Sequence, residues 1–345
     1  MVKTLKNYVD GQWKESTSED FKEVRNPATD ELIAKVPFST KEEVDDVVGS
    51  AKKAFEEWRN TSLSDRLNPL FKYVQILEEN KEKLAETLTK EHGKNYKSAL
   101  GEIRRTIQMV QGACSTMETC KGDFTENIAT NIDEYSVMRP LGVFAMIAPF
   151  NFPAMVPWWF APWAVAVGDT YIIKPNEQCP MTQQKMFELL EEKINLPDGV
   201  LNLINGGSKV GKQLISDPDI EGISFVGSTR VGKEIYSQAS KKGKRVQCQT
   251  GANNFLVVMP DANLKRIMPN MMNACFGNAG QRCLAGSIIL GVGDIYEDLK
   301  ETFIQNSKNL NVGFGLDEDT DVGPVVSRDS LNNLHTSIEK GIEEG

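Results

Sequence analysis

The chain has 345 residues, 40% of them hydrophobic and 25% charged, with a formal net charge of −9. That length and balance support two domains with true cores, and the acidic surplus argues against nucleic acid or an anionic membrane as the main partner. The N-terminal MVKTLKNYVDGQW lacks the apolar stretch of a signal peptide, and the six cysteines form no C-x-x-C pair, so reduced thiols, a cytoplasmic setting and no metal site are expected.

Asp10-Gly11 within Tyr8–Trp13 predicts a tight hairpin, and Asn26-Pro27-Ala28-Thr29 marks a further turn. Thr40–Trp58, Ser64–Glu91 and Lys97–Cys120 carry helical periodicity. The two histidines, His92 and His335, lie outside glycine-rich or strand-end contexts. Both read as surface residues, and a Cys–His or Ser–His triad has no support. Residues 128–141 have β character and interrupt the pattern as an excursion suited to an oligomerisation arm.

From Gly142 the chain changes character. Strand-like runs at 142–149, 170–175, 200–205 and 222–227 alternate with helical stretches at 181–193, 208–216 and 230–240. That alternation predicts an α/β fold with a parallel sheet covered on both faces and a ligand site beyond its carboxyl ends. The most apolar run, Phe150–Val167, is interrupted by Pro153, Pro157 and Pro162. It predicts a broken, buried helix rather than a membrane span. A second unit begins near Asn254, with a strand, a helix running to Phe276, a cysteine-bearing loop and a strand SIILGV.

Four short motifs carry chemistry. In FGNAGQRCLAGS, Phe276–Ser287, Cys283 sits among small residues beside Arg282. The setting suits an open thiolate nucleophile, although a buried cysteine is often only a small hydrophobe. The other five cysteines lack such a setting and read as structural. Asn151, between Phe150 and Phe152 and ahead of Pro153, is placed to donate to a developing oxyanion or, read alone, to cap a loop. Lys174-Pro175-Asn176-Glu177 follows a strand and reads either as a ribose grip or as a solvated turn. Gly227-Ser-Thr-Arg-Val-Gly232-Lys233 falls short of a P-loop because Glu234 stands where Ser or Thr would hold magnesium. The segment still predicts a strand, a glycine turn and a helix N-terminus able to hold a pyrophosphate, or simply a tight turn.

In order and spacing, PFNFP, strand-KPNE, ISFVGSTRVG, QTGANN and GQRC together resemble the aldehyde dehydrogenase superfamily over about residues 5 to 340. They are most similar to its CoA-acylating methylmalonate-semialdehyde dehydrogenase branch. The resemblance implies a Rossmann-like NAD domain (1–127 and 142–251) and a second α/β catalytic domain (252–345). The family chain runs on past Gly345, which implies that this second domain is incomplete and C-terminally truncated. Carried over position by position, Cys283 is the nucleophile, and Asn151 with the Cys283 N–H forms the oxyanion hole. Phe150, Lys174, Glu177, Phe225, Gly227, Ser228 and Gly232 fall in the cofactor site. Arg282 and Arg105, the latter beside Arg104, correspond to arginines that bind a substrate carboxylate.

Gln249 occupies the position of the glutamate that activates water in acid-forming members. A carboxamide does not take up a proton near neutral pH. The resemblance therefore implies NAD as oxidant, CoA as the acceptor of the acyl group, and acetyl-CoA or propionyl-CoA as product after loss of CO2. Asn253 and Phe255 stand where the branch commonly has lysine and histidine, which leaves the acyl chain open. The full-length family form implies a homodimer or homotetramer. Two other readings stay open: a hydrolytic enzyme forming a free acid with another base such as Glu177, and a truncated, non-catalytic NAD-binding module.

Overall fold

The computed structural model describes residues 2–345. Its main sheet has seven strands in the order Arg245–Gln249, Ile220–Val226, Val143–Ile147, Thr170–Lys174, Leu201–Leu203, Asn7–Val9 and Gln12–Lys14. The first five run parallel, and the N-terminal hairpin adds two antiparallel strands at one edge. The hairpin closes through Asp10 and Gly11, with φ of 55° and 70°, the left-handed pair that its turn requires.

In chain order the parallel strands step outward from Val143–Ile147 in one direction and then, after Leu201–Leu203, in the other. The reversal places a topological switch point between Val143–Ile147 and Ile220–Val226, where a crevice opens beyond the strand ends. Near-continuous apolar runs suit these central strands because both faces are covered. Lys41–Trp58, Ser208–Ser216 and Thr229–Ser240 cover one side through a core built on Val47, Ala145, Ile172, Leu214 and Ile235. Leu63–His92, Tyr96–Ala113, Ala161–Val167 and Met181–Lys193 cover the other through Leu77, Ile103, Met146, Trp158 and Phe187.

The proline-interrupted run is a 3-10 turn at Pro157–Trp159 followed by the buried helix Ala161–Val167. Among the described residues no helix is long and apolar enough to cross a membrane. The expected third helix, Lys97–Cys120, stops at Ala113 and resumes only for Thr116–Thr119. There the Ser115 and Thr116 hydroxyls donate to the carbonyls of Gly112 and Ala113, competing with the helical ladder. The excursion is a hairpin, Phe124–Ala129 with Ile132–Tyr135, that starts ahead of residue 128 and is exposed along both strands.

His92 corrects an expectation. It is fully buried, with its ring stacked on Phe150 at 6.1 Å between centroids. The long helix ends at Gly93, whose φ of 91° turns the chain sharply. Its last turn, Glu91 and His92, is thereby tucked beneath the strand-end loop instead of facing solvent.

Residues from 254 onward build a smaller unit. Asn254–Val258 and Gly286–Gly291 pair in parallel, and Leu264–Phe276 and Ile295–Lys308 pack on one side of the pair through Met268, Met271, Met272 and Leu299. Phe255, Val257, Ile288 and Leu290 are exposed.

Candidate active site

A cleft of about 790 Å³ lies over the carboxyl ends of the parallel strands. It is lined by residues of the Ile147–Asn151 and Phe225–Ser228 strand ends, by Lys174 and Glu177, and by Gly280 to Cys283 from the smaller unit. Eight of the predicted site residues therefore meet in one space: Asn151, Phe150, Lys174, Glu177, Phe225, Gly227, Ser228 and Cys283. Arg282 joins them. Gly232 and Arg105 do not line the cleft. Gly232 is buried behind it, where a Cβ would lie 2.4 Å from the Thr250 methyl. Arg105 is exposed on its helix and donates to Gln108 at 2.8 Å.

The nucleophile loop owes its shape to unusual backbone. Asn278, Ala279 and Gly280 all take left-handed φ values of 60°, 53° and 72°. Such a run is unfavourable for residues with a Cβ and reverses the chain just before Arg282 and Cys283. Two asparagine side chains hold it. Asn254 donates to the carbonyls of both Cys283 and Ala285 at 2.9 Å. Asn278 donates at 3.2 Å to the carbonyl of Asn151 and to that of Gln281. Cys283 itself is half-buried and unpaired by any disulfide.

The Asn151 loop is held from below. Lys94 and Glu102 are buried at 2% and 3% exposure, and their ion pair is 2.5 Å long. The Lys94 ammonium also donates to the Asn151 carbonyl at 2.8 Å and sits 4.6 Å over the Phe152 ring. The other Glu102 oxygen accepts the N–H groups of Ala154 and Met155 at 2.9 and 3.1 Å. Sequence reading missed Lys94, Glu102, Asn254 and Asn278. The only trace they left was a polar stretch in a helix and two asparagines near glycines, because each acts on main-chain groups far along the chain.

Arg282 is anchored to Asn273, donating to its carbonyl at 3.1 Å and to its side-chain oxygen at 3.3 Å. Its Nε is buried with no partner. Burial lowers the guanidinium from its ordinary value, yet arginine stays charged. The cation is thus pinned against Asn273 and Gly277 one residue before the thiol, and its residue lines the cleft.

At the other end of the cleft, Lys174 is 3% exposed and donates to the Pro175 carbonyl at 2.8 Å. Burial pushes its ammonium down, and Glu177 at 3.5 Å partly restores it. Between these ends Val226 runs into Gly227 and the helix Thr229–Ser240, with the Ser228 hydroxyl accepting from the Val231 N–H. A Cβ at Gly227 would lie 2.4 Å from the Phe225 ring, so only glycine fits against that ring at this turn. A helix N-terminus there supplies N–H donors and positive potential for phosphate oxygens. Together with the paired ammonium and carboxylate of Lys174 and Glu177 for ribose hydroxyls, the residues fit a dinucleotide. Gln249, like Gly232 and Arg105, does not line the cleft: it ends its strand one residue before Thr250, which does, with its carbonyl accepting from Gly227 N–H at 3.1 Å and its side chain exposed.

Comparison with known proteins gives the family and the fold. The profile of the aldehyde dehydrogenase family matches residues 13–345. The chain is 44% identical over 344 residues to malonate-semialdehyde dehydrogenase 1 of Geobacillus thermodenitrificans, covering all of this chain and 71% of that protein. Among solved structures it superposes with a TM-score of 0.96 and 35% identity on methylmalonate-semialdehyde dehydrogenase from Oceanimonas doudoroffii, covering all of this chain and 70% of the other. An NAD complex of a Sinorhizobium meliloti protein assigned the same activity gives a TM-score of 0.97 at 36% identity, with the same shares covered.

Proposed function

The chain belongs to the aldehyde dehydrogenase family, and on that premise we propose that it oxidises a carboxylated semialdehyde, malonate or methylmalonate semialdehyde, and passes the acyl group to CoA. The observation that carries this reading is the meeting of Cys283, Asn151 and Arg282 in one cleft, with a glutamine, Gln249, directly before the lining residue Thr250.

The Cys283 thiolate adds to the aldehyde carbon, and the carbonyl π pair moves to oxygen. The Asn151 amide and the Cys283 N–H donate to that oxygen, which stabilises charge only as it develops. NAD, when bound, supplies the acceptor for the hydride that the former aldehyde carbon loses. Lys174, Glu177, Phe225, Gly227 and Ser228 hold the dinucleotide, with Phe150 on the cleft wall. Gly232 acts behind them, letting the helix Thr229–Ser240 approach Thr250.

Cys283 is then a thioester. The carboxamide of Gln249 cannot take a proton from water, so hydrolysis lacks its base. The CoA thiol attacks the thioester carbon instead, its proton passes to solvent and the Cys283 thiolate leaves. Arg282 holds the substrate carboxylate, which lies β to the new acyl carbonyl. Loss of that carboxylate as CO2 leaves an enolate that takes up a proton, giving acetyl-CoA or propionyl-CoA.

The test is NADH formation from NAD and malonate semialdehyde, with and without CoA, on the chain and on Cys283→Ala. Sustained NADH only with CoA, and none from the variant, is the expected result. Equal rates with and without CoA would reject the role of Gln249.

A further inference from the structure

We infer that the buried Lys94–Glu102 pair positions the oxyanion donor Asn151 and ties it to the nucleophile loop, so that the two halves of the reacting centre share one anchor. This rests on the functional reading above. The pair has the features of a positioning device and few of an ordinary stabilising one. A buried ion pair is often no better for stability than apolar residues of the same size. Here each charged group spends its remaining hydrogen-bonding capacity on one short loop. Lys94 donates to the Asn151 carbonyl, and Glu102 accepts two consecutive main-chain N–H groups just beyond Pro153.

The Asn151 carbonyl has two acceptor sites, and both are used. Lys94 takes one from the helix side and Asn278 the other from the cysteine loop. The Asn151 peptide is thus clamped between two elements, and the residue lines the cleft. The clamp reaches further. Tyr96 N–H donates to the Gly315 carbonyl at 2.8 Å, and the Asn95 side chain donates to the Asp321 carbonyl at 2.5 Å. The Val326 N–H donates to the Gln281 side chain at 3.1 Å. One irregular stretch, residues 315–326, therefore holds both the Lys94 turn and the Cys283 loop.

Lys94 and Glu102 touch no reacting atom and are positioning residues. Displacing Asn151 by a fraction of its hydrogen-bond length weakens oxyanion donation without altering the thiol or the cofactor turn. A misplacement on the order of 1 Å costs about 100-fold in rate.

The variant for the test is Lys94→Met combined with Glu102→Gln, which leaves no stranded charge. Lys94→Arg retains the charge. The expected result for the double variant is a pre-steady-state NADH burst slowed about 10- to 100-fold, with aldehyde KM, NAD affinity, melting temperature and the rate of Cys283 alkylation by iodoacetamide nearly unchanged. Lys94→Arg should recover most of the burst rate. An unchanged burst overturns the inference. So does a loss of burst matched by equal losses in alkylation and NAD binding, since that reports general damage. If the parent chain gives no burst, the functional reading fails on its own account. Hydrogen exchange of the 151–156 peptide then decides: faster exchange in the double variant supports the anchor, and equal exchange overturns it.

Discussion

At the scale of single residues, the proposed chemistry turns on what one side chain can and cannot accept. Gln249→Glu introduces a carboxylate next to Thr250 of the cleft lining. The expected outcome is CoA-independent NADH turnover raised at least tenfold, within the ordinary range for a positioned general base; a steady-state assay without CoA measures it, and no gain counts against thiolysis. Glu91 makes a different point. Burial pushes its carboxyl from an ordinary 4.5 up to about 7, against N–H donors from Met181 and Thr182 that pull it down. Between those pH values the unfolded chain has lost the proton and the folded chain still holds it. Stability is therefore full below about pH 4.5, falls as pH rises, and levels off above about pH 7, for a total of about 3 kcal/mol. Thermal melts from pH 5 to pH 8 should show this decline, and Glu91→Gln should flatten it. An identical slope in the variant would assign the decline elsewhere.

At the scale of elements, the site is a set of strand ends and helix starts. Gly227 is where this is tightest, because a Cβ would strike the Phe225 ring, and Phe225 is only 5% exposed. Gly227→Ala gains a little from a less flexible unfolded chain, roughly 0.4–1 kcal/mol. It pays overpacking of about 1–3 kcal/mol, so a net loss near 1–2 kcal/mol is expected by urea denaturation. NAD binding by calorimetry should weaken about tenfold as the turn moves. Most helices and strands here were legible from periodicity, since their apolar faces are long and regular. The break after Ala113 was not, because it depends on which way the Ser115 and Thr116 hydroxyls point. The fifth parallel strand, Arg245–Gln249, was not read from the sequence, and strand order was not legible either: alternating strands and helices fix that a sheet is parallel, but not on which side the fourth strand is added.

At the scale of the whole molecule, two exposed features stand apart from the packed sheet. The hairpin Phe124–Tyr135 carries Phe124, Ile128, Ile132 and Tyr135 into solvent. The parallel pair Asn254–Val258 and Gly286–Gly291 shows a bare apolar face, with Val257 58% and Phe255 57% exposed. Parallel sheets are ordinarily covered on both sides, and uncovered apolar surface drives association. Val257→Lys should lower the weight-average mass in concentrated solution and leave the melting temperature almost unchanged, as sedimentation velocity would show. Persistent self-association would point to the hairpin. The sequence motifs singled out Cys283, Asn151 and Arg282, which share the cleft, because their settings are unusual. The residues that hold them escaped notice because a lysine, a glutamate and two asparagines are ordinary in kind, and what distinguishes them is the main-chain atom each one reaches.

The helix start at Gly227–Thr229 has a further consequence. Every residue but proline carries the N–H that such a turn offers, so its donors persist through almost any replacement that keeps the backbone path. On the proposed function, drift in side chains could then retune which aldehyde is accepted while the donors offered to phosphate stay in place. The positions least free to vary are those defined by missing atoms, where a neighbour already fills the space that a side chain would need.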